Sequence, residues 1–115
     1  MKNENEGRRY PRYSIPILIE ASSLAAHPLV PENISQSGFR VMAAEEPKAG
    51  EMVECAIAVM GKLFEGCVAK VEWVRGNEIF TSSWAVGLSV EIDESRRSDY
   101  EAALEEVFGS LGEAP

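Results

Sequence analysis

Apolar residues alternate with polar or small residues over most of the chain between residues 15 and 92. A period of two is typical of β-strands that present one face to a core and the other to solvent. The clearest alternating segments are Ile15–Ile19, Phe39–Ala43, Val53–Val59, Cys67–Trp73 and Trp84–Ile92. If the alternation of Cys67–Trp73 is uninterrupted, Trp73 lies on the same inward face as Cys67 and Val71. With a further short strand near Leu29 and Val30, the pattern predicts about six strands.

Turn-forming residues separate several of these segments, at residues 47–50, 61–62 and 75–77. Short turns rich in Gly, Pro and Asn join neighbouring strands as antiparallel hairpins. Because closure removes exposed sheet edges, six such strands are expected to form a small barrel or a strongly curled sheet.

The period changes to that of a helix after Asp93. Apolar side chains recur there at Tyr100, Ala103, Leu104, Val107, Phe108 and Leu111. Ser98 and Glu101 have the spacing of a capping box, and Gly109 and Gly112 are typical stop signals. The spacing predicts one amphipathic C-terminal helix packed against the barrel.

The first 13 residues, MKNENEGRRYPRY, follow neither period. We expect residues 1–13 to form a flexible arm and residues 14–115 to form the barrel with its helix, as one domain overall. The net charge is −8, yet residues 1–12 carry four Lys and Arg against two Glu. An acidic surface argues against binding of DNA or RNA and of anionic membranes, whereas the local cationic cluster suits a small anion.

Catalytic and metal-binding patterns are not evident in the sequence. His27 is the single histidine, and Cys55 and Cys67 fall on inward strand faces without an adjacent base. Buried thiols of this kind are inert, so we expect no enzyme activity, no cofactor and no metal. The polar N-terminus, the absence of a long apolar run and the two unclustered cysteines predict a cytoplasmic protein without membrane insertion.

Arginines on the predicted arm form the first candidate motif. Arg8, Arg9 and Arg12 surround Pro11, which stiffens the backbone before the last of them. The arginine fork binds phosphate through two parallel hydrogen bonds, and its flat face stacks on bases. Taken alone, the cluster also fits an ordinary basic tail.

A short polar segment before the strand at Phe39 forms the second motif. Asn33 and Ser35 are two residues apart, so an extended backbone would present an amide and a hydroxyl on one side. Gly38 permits a tight turn or a close backbone approach. Taken alone, the segment also fits an ordinary polar turn.

Together the two motifs resemble the signature of the PilZ domain, the bacterial receptor module for cyclic di-GMP. That signature is RxxxR on an N-terminal loop, followed by (D/N)xSxxG. Residues 8–12 match the first part and residues 33–38 match the second. Trp73 near the end of a long middle strand, residues 85–88 in the last strand and the C-terminal helix are also similar, so that the resemblance spans residues 6–108.

The resemblance implies a mainly β fold: a six-stranded antiparallel β-barrel of the PilZ split-barrel type with a C-terminal α-helix and the ligand on its outer surface. In the family the arginines hold phosphate and stack on guanine, and the Asn and Ser hydrogen-bond a guanine. The ligand-binding residues expected here are Arg8, Arg9, Arg12, Asn33, Ser35, Gly38 and Trp73. Gly38 would leave room for the ligand, and Trp73 would either contact the ligand or belong to the core.

Cyclic di-GMP is therefore the expected ligand, and an effector of the motility, secretion or exopolysaccharide machinery is the expected protein partner. The arm is expected to order around the dianion and to create a new surface for that effector. One alternative is a PilZ-type adaptor that no longer binds cyclic di-GMP and acts only through protein contacts. Another is a small barrel that binds single-stranded nucleic acid, which the net charge disfavours.

Overall fold

Six antiparallel strands form one curled sheet in the computed structural model, which describes residues 15–35, 37–76 and 82–112. The strands are β1 (Ile17–Glu20), β2 (Asn33–Ile34), β3 (Gly38–Ala43), β4 (Met52–Val59), β5 (Lys62–Gly76) and β6 (Trp84–Glu91). Their order across the sheet is β1-β4-β5-β6-β3-β2. The turn at residues 47–50 therefore joins β3 and β4, which are not neighbours, and the hairpin predicted there is wrong. The sheet curls into a half-barrel, which confirms the predicted mainly β fold of six strands. The predicted arm, residues 1–13, lies outside the described residues.

The segment between β1 and β2 links the two edges of the sheet. Leu29 exchanges two backbone hydrogen bonds of 2.8 Å with Ile19 of β1. Three residues later, the backbone N–H of Glu32 donates to the carbonyl oxygen of Arg40 at 2.8 Å, next to the β2–β3 pairing. The chain therefore crosses from one edge of the half-barrel to the other within a few residues.

The prediction of a strand near Leu29 and Val30 is wrong, because only one isolated β-bridge forms there and the second strand is β2. Pro28 and Pro31 flank this bridge. Pro31 stands at the next hydrogen-bonding position after Leu29 and has no backbone N–H, so the ladder cannot extend in that direction.

Side chains from every long strand and from the helix form one hydrophobic core. The side chains that are at most 1% exposed include Ile17, Ile19, Val41, Ile57, Val59, Val71, Val86 and Val107. Each aliphatic group of this size stabilises the fold by about 1.5–3 kcal/mol when it is fully buried. The period-two pattern thus identified the core face of the strands.

Two β-bulges interrupt the pairing of β5. At the first, the register with β4 shifts near Gly66, which has the left-handed φ of 68° that glycine readily adopts. At the second, Val71 pairs with Leu88 and Trp73 pairs with Gly87, so Glu72 is an extra residue on β5. An extra residue reverses the alternation that follows it.

The second bulge moves Trp73 out of the core. Glu72 and Trp73 are both exposed, and Val74 packs against the core in their place. The prediction that Trp73 shares the inward face of Cys67 and Val71 is therefore wrong, since that prediction assumed an uninterrupted strand.

The C-terminal helix α1 (Glu94–Gly112) confirms the predicted helix but starts earlier than the capping box indicated, and Ser98 lies inside it. Asp93 directly precedes α1, where a carboxylate interacts favourably with the helix dipole. Arg96 donates from Nε to Asp93 Oδ1 at 2.8 Å and from Nη1 to the carbonyl oxygen of Glu65 at 2.7 Å. Arg96 therefore fastens the start of the helix to the first bulge of β5.

Apolar side chains along one face of α1 pack on the sheet. Tyr100, Ala103, Leu104 and Val107 are buried, and the Tyr100 ring meets Phe64 edge-on with centroids 5.3 Å apart. No helix in the described ranges is long and apolar enough to cross a membrane.

Acid should weaken the attachment of α1 in a defined pH interval. Hydrogen bonding by Arg96 and then by Ser95 lowers the pKa of Asp93 from 3.8 to about 2. Because the folded pKa lies below the unfolded one, this contact stabilises the fold above about pH 4, and the contribution is lost as the pH falls toward about 2. We expect Tm to fall less over this interval in Asp93→Asn than in the wild type, as measured by circular dichroism.

Asp99→Asn is the control for this measurement, since Asp99 is an exposed acid on the same helix. Its Tm should follow the wild-type pH profile. A parallel profile for Asp93→Asn would show that the Asp93–Arg96 contact does not contribute to acid sensitivity.

Candidate ligand-binding site

A groove on the outer face of the sheet runs over β2, β3, β5 and β6. Its volume is about 520 Å³, within the range of about 300–1,000 Å³ that is usual for small-molecule sites. The lining residues are Asn33, Ile34, Ser35, Ser37, Gly38, Phe39, Arg40, Glu72, Trp73, Gly87, Leu88 and Ser89. Residues from distant parts of the chain thus meet in one depression.

Backbone pairing aligns four residues in a row across the floor of this groove. Asn33 pairs with Arg40, Arg40 pairs with Gly87, and Gly87 pairs with Trp73. Paired residues of neighbouring strands project to the same face of a sheet. The row, which we call the floor row, therefore presents an amide, a guanidinium, a position without a side chain and an indole.

Gly87 provides the space in which the indole of Trp73 lies. A Cβ atom at Gly87 would lie 2.2 Å from Trp73 Nε1, so the ring rests directly on the glycine. Arg40 Cζ is 5.9 Å and Arg75 Cζ is 5.4 Å from the ring centroid, both within cation–π range. Trp73 is 37% exposed. It is consequently a partly exposed aromatic platform that rests on β6 and has two guanidinium groups within cation–π range.

The β2–β3 hairpin carries the polar motif along one side of the groove. Asn33 and Ser35 are exposed, while Ile34 between them packs against the core. The backbone N–H of Ser35 donates to the carbonyl oxygen of Gly38 at 2.9 Å, and its hydroxyl donates to the same oxygen at 3.4 Å. The prediction that the amide and the hydroxyl share one side is confirmed.

Gly38 is required by the close approach of β3 to β6. A Cβ atom there would lie 1.8 Å from the carbonyl oxygen of Leu88 and 2.9 Å from Ser89 Cα. The predicted close backbone approach is therefore confirmed, whereas the predicted space for a ligand stays a prediction.

One positive and one negative side chain occur in the described lining of the groove. Arg40 and Glu72 are its charged members. Arg40 Nε lies 3.7 Å from Glu32 Oε1, and Glu72 accepts a 2.7 Å hydrogen bond from the Ser89 hydroxyl. The described part of the groove therefore has little net charge with which to hold an anion.

The structure brings Asn33, Ser35, Gly38 and Trp73 together at one groove. Arg8, Arg9 and Arg12 lie outside the described residues. Sequence reasoning missed Arg40 and Gly87. Arg40 could have been noticed as the polar position between Phe39 and Val41, but its neighbours in the floor row depend on strand order and register, which no local pattern reveals.

Cys55, Cys67 and His27 do not line the groove. Burial raises the pKa of the Cys55 thiol to about 11, and it also raises that of Cys67, which donates to the carbonyl oxygen of Phe64 at 3.4 Å. His27 is exposed, and its ring Nδ1 contacts the Pro28 carbonyl oxygen at 3.1 Å. Among the residues described, no three His, Cys, Asp or Glu side chains cluster in a way that could hold a metal ion.

Comparison with known families finds one matching family model. A family model for the PilZ domain matches residues 6–107, which include both motifs and every lining residue. Neither a search of curated proteins nor a search of solved structures found a significant match. PilZ domains are binding or adaptor domains and not enzymes. Because the match spans nearly the whole chain, the protein belongs to the PilZ domain family of cyclic di-GMP receptors.

Proposed function

We propose that this protein is a cyclic di-GMP receptor, that it binds the ligand in the groove over β2, β3, β5 and β6, and that it signals to a partner protein. The observation that carries the proposal is the floor row with the adjoining hairpin. They place Asn33, Ser35 and the exposed indole of Trp73 around one groove of suitable size. Cyclic di-GMP has two flat purines and two phosphates, so its receptor needs stacking surfaces, hydrogen-bonding groups and cations.

Recognition of the guanine bases would use both sides of the groove. Trp73 offers an exposed ring on which a base can stack, an interaction of about 1–3 kcal/mol per base. Asn33 and Ser35 offer an amide oxygen and a hydroxyl oxygen as acceptors for the N–H donors of guanine. The amide is neutral, so each such bond contributes about 0.5–1.5 kcal/mol.

Phosphate binding requires cations beyond those in the described lining, where Arg40 is offset by Glu72. Arg8 and Arg12 have the spacing of RxxxR, Arg9 adds a charge beside them, and all three lie within the residues that the family model matches. We assign the two phosphates to these arginines. Binding would then order the arm over the groove and create a surface for an effector. This receptor would act in the cytoplasm, where two free cysteines are ordinary.

Isothermal titration with cyclic di-GMP tests the proposal. We expect the wild type to bind with Kd of about 1 μM or tighter, which corresponds to about −8 kcal/mol. Arg12→Ala and Asn33→Ala should each weaken binding, Arg12→Ala by at least about tenfold because a charge-assisted bidentate contact is lost. Lys62→Ala is the matched loss of a positive charge, since Lys62 lies at the opposite end of β5 from Trp73, and it should bind like the wild type.

Absence of heat and of any ligand-induced rise in Tm for the wild type would overturn the receptor proposal. The chain would then be an adaptor that acts through protein contacts alone. In the same titration, NMR signals of residues 1–13 should become those of an ordered segment at saturation. Signals that keep the shifts of an unfolded chain would overturn the ordering step while leaving the binding site intact.

A further inference from the structure

We propose that Arg40 is an additional ligand-binding residue, which recognises the N7 and O6 atoms of a guanine stacked on Trp73 and makes the groove selective for guanine over adenine. The inference rests on the proposed function and adds a specificity residue to the same groove. Arg40 belongs to neither sequence motif.

The floor row places Arg40 beside the aromatic platform. Arg40 and Trp73 both pair with Gly87, one on each side of it, so their Cα atoms are separated by about two strand spacings, or roughly 10 Å. Gly87 has no side chain to separate them, and the Arg40 guanidinium carbon lies 5.9 Å from the indole centroid. Because the indole itself covers Gly87, a purine stacked on the exposed side of the ring would lie above it with one edge toward Arg40.

The guanidinium is available for such a contact. The Arg40 side chain is 45% exposed, and its 3.7 Å contact with Glu32 through Nε is a long ion pair near the surface. Ion pairs of this kind contribute little to stability. Arginine has five N–H donors, so the Nη groups can reach a base without a large cost in lost contacts.

The parallel N–H groups of the Arg40 guanidinium match the hydrogen-bonding edge of guanine but not that of adenine. Guanine presents two acceptors, N7 and O6, along one edge, and two parallel arginine N–H groups bind both. Adenine presents N7 as an acceptor but N6–H₂ as a donor at the second position. Arginine has no acceptor, so adenine would leave donor facing donor. Selectivity for guanine follows from this mismatch.

Arg75 supplies a matched control within the same structure. Its guanidinium carbon is 5.4 Å from the Trp73 ring, slightly closer than that of Arg40, but Arg75 does not line the groove. Arg75→Ala thus removes one positive charge and one cation–π contact with Trp73, as Arg40→Ala does, without removing a donor from the floor row.

The test compares the affinities of wild type, Arg40→Ala, Arg40→Lys and Arg75→Ala for cyclic di-GMP, for its bis(7-deazaguanine) analogue and for cyclic di-AMP. Arg40→Ala should weaken cyclic di-GMP binding by at least about tenfold and Arg75→Ala by less than about threefold. The wild type and Arg75→Ala should bind the 7-deaza analogue, which lacks N7, more weakly than cyclic di-GMP. Arg40→Ala should bind these two ligands with equal affinity. Arg40→Lys keeps the positive charge but lacks the two parallel N–H donors. Like Arg40→Ala, it should bind cyclic di-GMP and the 7-deaza analogue with equal affinity. The preference for cyclic di-GMP over cyclic di-AMP should narrow by at least about fivefold in Arg40→Ala.

If removal of N7 lowered the affinity of the wild type and of Arg40→Ala by the same factor, the proposal would be overturned, because Arg40 would then act by charge alone. Full affinity of Arg40→Lys, or equal losses in Arg40→Ala and Arg75→Ala, would overturn it as well. If the wild type and Arg40→Ala bound cyclic di-GMP with the same affinity, only this inference would be overturned. If the wild type did not bind it at all, the proposed receptor function would be overturned too.

Discussion

Gly38→Ala is expected to lower the free energy of unfolding by about 2–3 kcal/mol and the Tm by roughly 10 °C. The added methyl group would lie 1.8 Å from the carbonyl oxygen of Leu88 and 2.9 Å from Ser89 Cα. Both atoms belong to the backbone of β6, so neither can rotate away, and β3 must separate from β6 at this point. Thermal and urea unfolding followed by circular dichroism would measure the loss.

Gly109→Ala is the matched control for this substitution. Gly109 is exposed in α1, and beyond its chain neighbours and the helix backbone itself nothing described lies within 4 Å of an added Cβ. Alanine in a helix is favoured over glycine by about 0.5–1 kcal/mol, so this variant should be slightly more stable than the wild type. If Gly38→Ala unfolded at the wild-type temperature, the close approach of β3 and β6 would not be a requirement of the fold.

Gly87→Ala is expected to keep the fold but to weaken cyclic di-GMP binding by at least about tenfold, if the groove is the ligand site as proposed. The new Cβ would lie 2.2 Å from Trp73 Nε1 and 2.4 Å from Cε2. The indole is exposed and can swing outward, so the stability cost should be smaller than at Gly38. The displaced ring would no longer serve as a flat platform next to Arg40.

Titration calorimetry measures the loss of affinity, and tryptophan fluorescence reports the displacement. Trp84 is the other tryptophan and is partly buried against the core, so a red shift on substitution of Gly87 would come from Trp73. In a Trp73→Ala background, Gly87→Ala should have no further effect on affinity. An additional loss there, or full affinity of Gly87→Ala, would show that Gly87 does not act through the indole.

Local patterns predicted the strands and the helix because burial selects apolar residues with the period of each element. The same reasoning placed Asn33 and Ser35 on one side of an extended segment, and the structure agrees. It failed at Trp73, where one extra residue in β5 reverses the alternation. A bulge has no fixed signature in a single strand, since it is defined by the partner strand that the extra residue fails to match.

The start of α1 shows a similar limit. Ser98 and Glu101 have the spacing of a capping box, yet the helix begins right after Asp93. Arg96 holds Asp93 and the carbonyl oxygen of Glu65 together, and that carbonyl group is far away in the sequence. The earlier start therefore combines a local signal, the Asp93 carboxylate, with the tertiary contact of Arg96 to Glu65.

By itself, the sequence determined the element types, the core faces of the unbroken strands, the two motifs and, through them, the family. These features depend on neighbours within a few positions along the chain. Only the tertiary structure decided that Arg40, Gly87 and Trp73 stand in one row with Asn33, and that Gly38 must lack a side chain. The physical reason is that strand order, register and bulges are set by hydrogen bonds and packing between distant segments, which must be satisfied together.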